Sequence, residues 1–300
     1  MIFNNESLDY LISTGEHCIQ KEYYEYLKGE QIKELPKTKG NKQYKISIIV
    51  PNYNNEQWIE KSLKSIRNQT YKNYEIIFID DCSTDNSVEI AKKYADKVIT
   101  LKQKRLNGGA RNEGYLHISN DTDYIYYLDS DDWLATENAL EKINENLQGE
   151  PEVLFVGVGA DYNGITRCFY IPEYKDRYEA ILGWSGCYGK VIKKELATDQ
   201  KCLFPEGTLK EDRTQHYKVC IEMKSYRCLP EILYIWNRNN ATSVTTERNT
   251  KWKTSTIRNW ADSMELYEIY KGRDNKLDQI LMARMENCKI EIDNKGDEQK

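Results

Sequence analysis

Between residues 46 and 132, short apolar runs alternate with stretches of helical spacing, and this alternation sets the fold class. Ile46-Ser47-Ile48-Ile49-Val50 reads as a buried strand closed by Pro51. Ile59, Leu63 and Ile66 follow at i, i+4 and i+7, one face of a helix that Asn54 or Asn55 is placed to cap. Glu75 to Asp81 is a second strand, and Ser83-Thr84-Asp85 opens a helix with Val88, Ala91 and Ala95 inward. Lys97 to Leu101 is a third, shorter strand. Gly108-Gly109-Ala110-Arg111-Asn112 opens a helix running through about Ser119, and Tyr124 to Leu128 is a fourth strand. The order β-α-β-α-β-α-β predicts right-handed crossovers and a parallel sheet.

The fourth strand runs straight into Asp129-Ser130-Asp131-Asp132. Ligands of open α/β sheets collect beyond the carboxyl ends of the strands. Three acids there repel one another unless a cation sits among them, and a hard divalent ion such as Mg2+ or Mn2+ suits carboxylate oxygens and a substrate phosphate. Asp80-Asp81 adds two more acids on the same edge, although Asp80 and Asp85 also fit as caps of the next helix. Receiver domains and haloacid-dehalogenase phosphatases gather acids at strand ends too. The first needs a much shorter chain with a downstream Lys. The second carries its acids on the first strand, usually with Thr where Trp133 stands.

Bulk properties agree with a soluble enzyme. The 300 residues are 39% hydrophobic and 30% charged with a net charge of −5, so no global basic field favours nucleic acid. No apolar run approaches membrane-spanning length, and Met1-Ile2-Phe3-Asn4-Asn5-Glu6 has neither part of a signal peptide. The sequon Asn68-Gln69-Thr70 therefore carries little weight. Eight Cys without a Cys-x-x-Cys pair, beside three His, predict reduced thiols and a cytoplasmic location rather than zinc or disulfides.

Residues 1–43 are expected to be an extension, with helices around Tyr10-Leu11-Ile12 and Tyr23 to Leu27 and a linker from Lys33 to Gln43. Two roles fit it: a helix packed on the main domain, or a docking helix for a partner or a membrane surface. Residues 44–245 form the main domain, split into 44–135 and 136–245, and 246–300 a helical C-terminal segment. In the second half, Glu137 to Gln148 predicts a helix, Val153 to Val158 a strand, Gly183 to Gly189 a small-residue turn, and Ile232 to Trp236 a strand. A helix is expected to begin near Lys210-Glu211-Asp212, and Lys251 to about Ile292 to be largely helical.

Five segments together resemble the family 2 glycosyltransferases of the GT-A fold. They are Ser47-Ile48-Ile49-Val50-Pro51-Asn52-Tyr53-Asn54, Gln69-Thr70-Tyr71, Ile79-Asp80-Asp81-Cys82-Ser83-Thr84-Asp85, Gly109-Ala110-Arg111-Asn112-Glu113-Gly114 and Leu128-Asp129-Ser130-Asp131-Asp132. The likeness is close over residues 45–135 and looser to about 245. Cys82 stands where the family usually has Gly, at a position expected to be a turn.

The resemblance implies an α/β fold with a Rossmann-like, mostly parallel sheet flanked by helices, and an inverting, metal-dependent transferase. Pro51, Tyr53 and Asp81 would hold the nucleotide base, and Arg111 would complete base or diphosphate contacts at a helix N-terminus. Asp129 and Asp131 form the family's Asp-x-Asp, bridging ribose and Mn2+ or Mg2+, with Asp132 the neighbouring ligand candidate. The segment Phe204 to Asp212 looks like the family's Glu-Asp motif, which makes Asp212 the catalytic base and Glu211 its neighbour. The plainer reading of both is acids favoured at a helix N-terminus. Trp184 and Tyr188 match an acceptor-side region where an aromatic ring stacks on a sugar, or else they are buried aromatics. Tyr234, Trp236, Arg238 and Ser243 resemble a late segment that closes over the diphosphate, with Arg238 the phosphate contact. His216 reads as solvated or packed rather than as a ligand.

The function implied is transfer of a hexosyl or N-acetylhexosaminyl group from a nucleotide sugar, a UDP-sugar first among them. The acceptor would be a glycan, a lipid-linked glycan or another hydroxyl compound, in surface polysaccharide biosynthesis at the cytosolic face of the membrane. Two other classes compete. A degenerate module that only binds nucleotide or glycan is disfavoured by intact Asp129, Asp131, Asp212 and Arg111. A sugar nucleotidyltransferase wants a Gly-rich basic loop after the first strand, which Pro51-Asn52-Tyr53-Asn54 does not supply.

Overall fold

A computed structural model of the chain describes residues 34–240, 250–273 and 275–297. The helices expected around Tyr10 and Tyr23, and Ser243, lie outside the described residues. The first half follows the predicted alternation: β1 (Ile46–Asn52), α1 (Glu56–Arg67), β2 (Tyr74–Asp80), α2 (Ser87–Ala91), β3 (Lys97–Thr100), α3 (Leu106–Tyr115) and β4 (Tyr124–Tyr127). These strands pair in parallel in the order β3-β2-β1-β4. Every residue of β1 and β4 is buried, as a strand covered on both faces requires. Ile59, Leu63 and Ile66 of α1 are fully buried against them, each stabilising the fold by roughly 1.5–3 kcal/mol.

The cap of α1 differs from expectation, whereas Asp85 does reach the start of α2. Asn55 occupies the cap position of α1 without a side-chain cap bond. Instead Asp85, about thirty residues on, accepts the Glu56 N–H at 2.9 Å through one oxygen and the Ser87 N–H at 3.0 Å through the other. Glu56 returns the bond to the Asn86 N–H at 2.9 Å. One acid thus fastens the starts of α1 and α2 together.

The second half is not parallel throughout. It comprises β5 (Trp133–Leu134), α4 (Ala139–Leu147), β6 (Val153–Tyr162), β7 (Ile165–Tyr170), α5 (Arg177–Leu182), β8 (Lys190–Lys193), α6 (Lys194–Ala197), α7 (Glu211–Glu222), β9 (Tyr226–Asn237), α8 (Thr250–Tyr270) and α9 (Asn275–Asp297). The sheet continues from β4 as β8-β6-β9-β5, with β7 paired to the outer part of β6. Strand β8 is antiparallel to both neighbours, and β6 and β9 are parallel. Part of the expected linker is a strap: Glu34 bridges Tyr226, and the buried Arg227 guanidinium holds the carbonyls of Leu35, Pro36, Asn146 and Gln148.

At the C-terminal end, α8 and α9 pack on each other and α8 on α7. Arg284 of α9 is buried between them and donates to Ser263, Asn259 and, at 3.0 Å, to Thr214 of α7. No helix among the described residues is long and apolar enough to cross a membrane. Their seven cysteines are free thiols.

Helix α3 meets the loop before α7 at Gly108, where a Cβ would lie 2.5 Å from the Pro205 carbonyl oxygen. A backbone atom cannot swing aside as a side chain would. Gly108→Ala is therefore expected to cost about 1–3 kcal/mol of stability, read as a lowered urea midpoint, although Ala is the better helix former. A raised midpoint would show that the two elements are free to separate.

Candidate active site

The acids after β4 part company. Asp129 Oδ1 accepts from Arg111 Nη2 at 2.6 Å, and Asp131 Oδ2 accepts from Asn240 Nδ2 at 2.7 Å. Asp132 is buried, with Oδ1 taking the Asn237 N–H at 2.8 Å and Oδ2 the Tyr234 hydroxyl at 2.5 Å. Tyr234 in turn accepts the Asp129 N–H at 3.2 Å. Burial, then the charges of Asp131 and Asp129, hold the Asp132 carboxyl well above the usual range. Both oxygens of Asp132, the neighbouring ligand candidate, are thus engaged by the protein.

Burial, and then the Asp129 charge, push Asp131 up to about 6. Both Asp131 and Asp129 keep some exposed surface. No cluster of three or more His, Cys, Asp or Glu suited to a metal exists among the described residues. The two partly exposed carboxylates of Asp129 and Asp131 fit Mg2+ or Mn2+, which accept one or two protein carboxylates and complete their shell with water and phosphate oxygens.

Arg111, expected to complete base or diphosphate contacts, is 2% exposed. Its Nη1 donates to Glu211 at 2.6 Å while Nη2 donates to Asp129, and its guanidinium lies 5.2 Å from the Phe204 ring centroid. Burial opposes the charge, but the flanking acids, Asp129 foremost, outweigh it and hold the guanidinium protonated. Glu211, expected beside the acceptor, is likewise buried. Burial outweighs the opposing pull of Arg111 and holds its carboxyl up at about 7. One guanidinium thus ties the acidic loop after β4 to the start of α7.

Asp212 is the next residue along, half-buried in the first turn of α7, with Oδ1 accepting the Arg213 N–H at 2.7 Å. The loop that delivers it is gripped by α3 in two more places. The Asn112 amide makes paired bonds to the Phe204 backbone, at 2.9 Å to its oxygen and 3.1 Å from its nitrogen. Arg105 binds both oxygens of Glu206, at 3.0 and 2.5 Å.

On the β2 side, Asp81 is buried and takes the N–H groups of Arg105 at 2.6 Å and Leu106 at 2.8 Å. Pro51 is buried within β1, and Tyr53 is 41% exposed with Lys104 Nζ 2.8 Å from its ring centroid. Asp80 accepts from Asn52 and from the Ser83 N–H, in the turn before α2 rather than at its start. Cys82 sits at φ +66°, a left-handed turn that glycine adopts without cost.

The aromatic residues form one cluster. Tyr188 is buried and stacked on Tyr234 at 4.7 Å and 17°, and Trp184 is half-buried against Phe169 and Trp236. Arg238 is exposed, with its guanidinium 4.2 Å from the Trp236 ring centroid. His216 is fully buried and bonded to the Ile181 carbonyl, so it is packed. The sequence reading missed the hold of Tyr234 on Asp132 and of Asn240 on Asp131. Partners more than a hundred residues apart leave no spacing signal.

A sheet with a parallel nucleotide half, an acidic loop after β4 and a helix N-terminus opposite it is the GT-A arrangement of nucleotide-sugar transferases. The family model "Glycosyl transferase family 2" matches residues 47–200, and the chain belongs to that family. Among curated relatives, glycosyltransferase GlyA of Streptococcus pneumoniae is 29% identical over 64% of this chain and 30% of its own. GlyG of the same species is 27% identical, over 69% of this chain and 75% of its own. The poly(ribitol-phosphate) beta-glucosyltransferase of Bacillus spizizenii is 36% identical over 54% of this chain. The chain thus spans under a third of GlyA, and 27% of the Bacillus enzyme. Among solved structures, Staphylococcus aureus TarS in complex with UDP-GlcNAc aligns with a TM-score of 0.66 at 20% identity, covering 81% of this chain and 72% of that one.

Proposed function

We propose that the protein transfers a sugar from a nucleotide sugar, a UDP-sugar first among them, to an acceptor hydroxyl with inversion at the anomeric carbon. The observation that carries this reading is Arg111, whose two bonds at 2.6 Å set the acidic loop and the first turn of α7 across one cleft. Residues 44–135 would hold the nucleotide, with Pro51, Tyr53 and Asp81 around the base, and 136–245 the acceptor. Asp212 takes the proton of the acceptor hydroxyl as that oxygen bonds to the anomeric carbon. The bond to the nucleoside diphosphate breaks on the opposite face. Bound Mn2+ or Mg2+, held by Asp131 with Asp129, would neutralise charge on the departing diphosphate. Arg238 is exposed and free to approach that diphosphate from above Trp236.

The names of relatives support the donor and acceptor classes. TarS is described in complex with UDP-GlcNAc, and a Pyrobaculum calidifontis mannosyltransferase with GDP-Man and Mn2+. The names of two poly(ribitol-phosphate) transferases support a polymer as acceptor; on this reading the reaction belongs to surface polysaccharide biosynthesis at the cytosolic face of the membrane.

A thermal-shift panel of nucleotide sugars with Mn2+ tests the reading, because a ligand bound only by the folded protein raises its stability. One UDP-sugar should stand out, and that donor should then be consumed in a transfer assay. Asp131→Ala is expected to weaken UDP binding in Mn2+ at least about tenfold, the loss of one charge-assisted contact. Unchanged affinity would sink the metal assignment.

A further inference from the structure

Lys190 is a charge that the transfer reading leaves unused. It opens β8, and its side chain is 1% exposed. Its Nζ donates to the Gly186 carbonyl and, at 3.5 Å, to that of Ser185. Both carbonyls belong to the turn that carries Trp184 and Tyr188. That turn is tight: a Cβ on Gly186 would lie 2.8 Å from Tyr188 Cζ. The charged and titratable groups facing Lys190 are Asp212, His216 and Cys220 of α7 and Cys187 of the turn, with no ion pair to Lys190 among the described residues. Burying an ammonium without a paired carboxylate costs free energy that an apolar side chain of equal length does not. Folding alone would favour methionine there.

We propose that Lys190 is a positioning residue for transfer: its buried ammonium pins the Ser185 and Gly186 carbonyls, fixing the turn that carries Trp184 and Tyr188. The effect on rate rests on the transfer function proposed above, and the pinning does not. Pinning acts on Trp184 and Tyr188 together, since Tyr188 stacks on Tyr234, the anchor of Asp132.

The test compares Lys190→Met and Lys190→Gln with the parent chain by thermal midpoint, hydrogen exchange of amides 184–189, UDP affinity in Mn2+ and transfer rate. Lys190→Met should keep or raise the midpoint, and turn exchange should accelerate at least about tenfold. UDP affinity should stay within about twofold while kcat falls about 100-fold, the scale of a misplaced reacting group. Lys190→Gln, which keeps an N–H donor without the charge, should regain part of both the turn protection and the rate. It carries the same readouts if the Met variant does not fold.

Unchanged turn exchange, or kcat within about threefold of the parent, overturns the proposal. So does a lowered midpoint with a parallel loss of UDP affinity, the mark of a merely structural side chain. A parent that transfers no sugar, while its turn still loosens in Lys190→Met, counts against the transfer reading and upholds the pinning.

Discussion

Asp212→Asn is expected to lower sugar transfer by about 10²–10⁴-fold, the usual contribution of a positioned general base. The change removes the proton acceptor and keeps the shape. Asp212 lies in the first turn of α7, and the bonds that place that turn belong to its neighbours: Arg111 to Glu211, Asn112 to Phe204, and Arg105 to Glu206. The variant should therefore fold as the parent does and bind UDP in Mn2+ with near-parental affinity. Steady-state transfer and isothermal titration on the same preparation separate the two effects. Transfer at the parental rate would show that another group takes the proton.

Arg111→Met should act on the fold first. It leaves Glu211 and Asp129 without the cation that offsets their burial, and breaking such a pair costs about 3–5 kcal/mol. Urea unfolding monitored by tryptophan fluorescence would read this as a lowered midpoint at constant slope. Adding Glu211→Gln should return part of the loss, because a neutral amide tolerates burial better than an orphaned carboxylate. Loss of less than about 1 kcal/mol in the single variant would place the pair in the class of solvent-screened surface bridges.

The nucleotide half was legible because its information is local. Val50 to Tyr53, Ile79 to Asp85 and Leu128 to Asp132 each announce a strand and its end within a few residues, and α1 shows its inward face at regular spacing. The acceptor half was harder to read. Lys190-Val191-Ile192-Lys193 is four residues long with a lysine at each end, and nothing in it reveals a buried antiparallel strand between β4 and β6. Ile165 to Tyr170 is mostly exposed, so it lacks the apolar pattern of a strand. Within the site, residue types were readable while pairings were not. Arg111 stands near a helix start, where arginines often meet phosphate, and its two acids lie 18 and 100 residues away. Asp132 likewise reads as one acid among three, and its partners Tyr234 and Asn237 lie more than a hundred residues on.

The path of the sheet also sets a timetable for synthesis. Strand β5 follows the acidic loop directly but pairs at the far edge with β9, and Asp132 is held from the same strand. A nascent chain that has emerged only through residue 128 contains all the short-range crossovers of the nucleotide half. Its acidic loop, by contrast, finds Arg111 and Asn55 within the first half, but Tyr234 and Asn237, the partners of Asp132, arrive only with β9. Loop closure across some hundred residues is the slow kind of contact. The hold on Asp132 is therefore expected to form after the first half has folded.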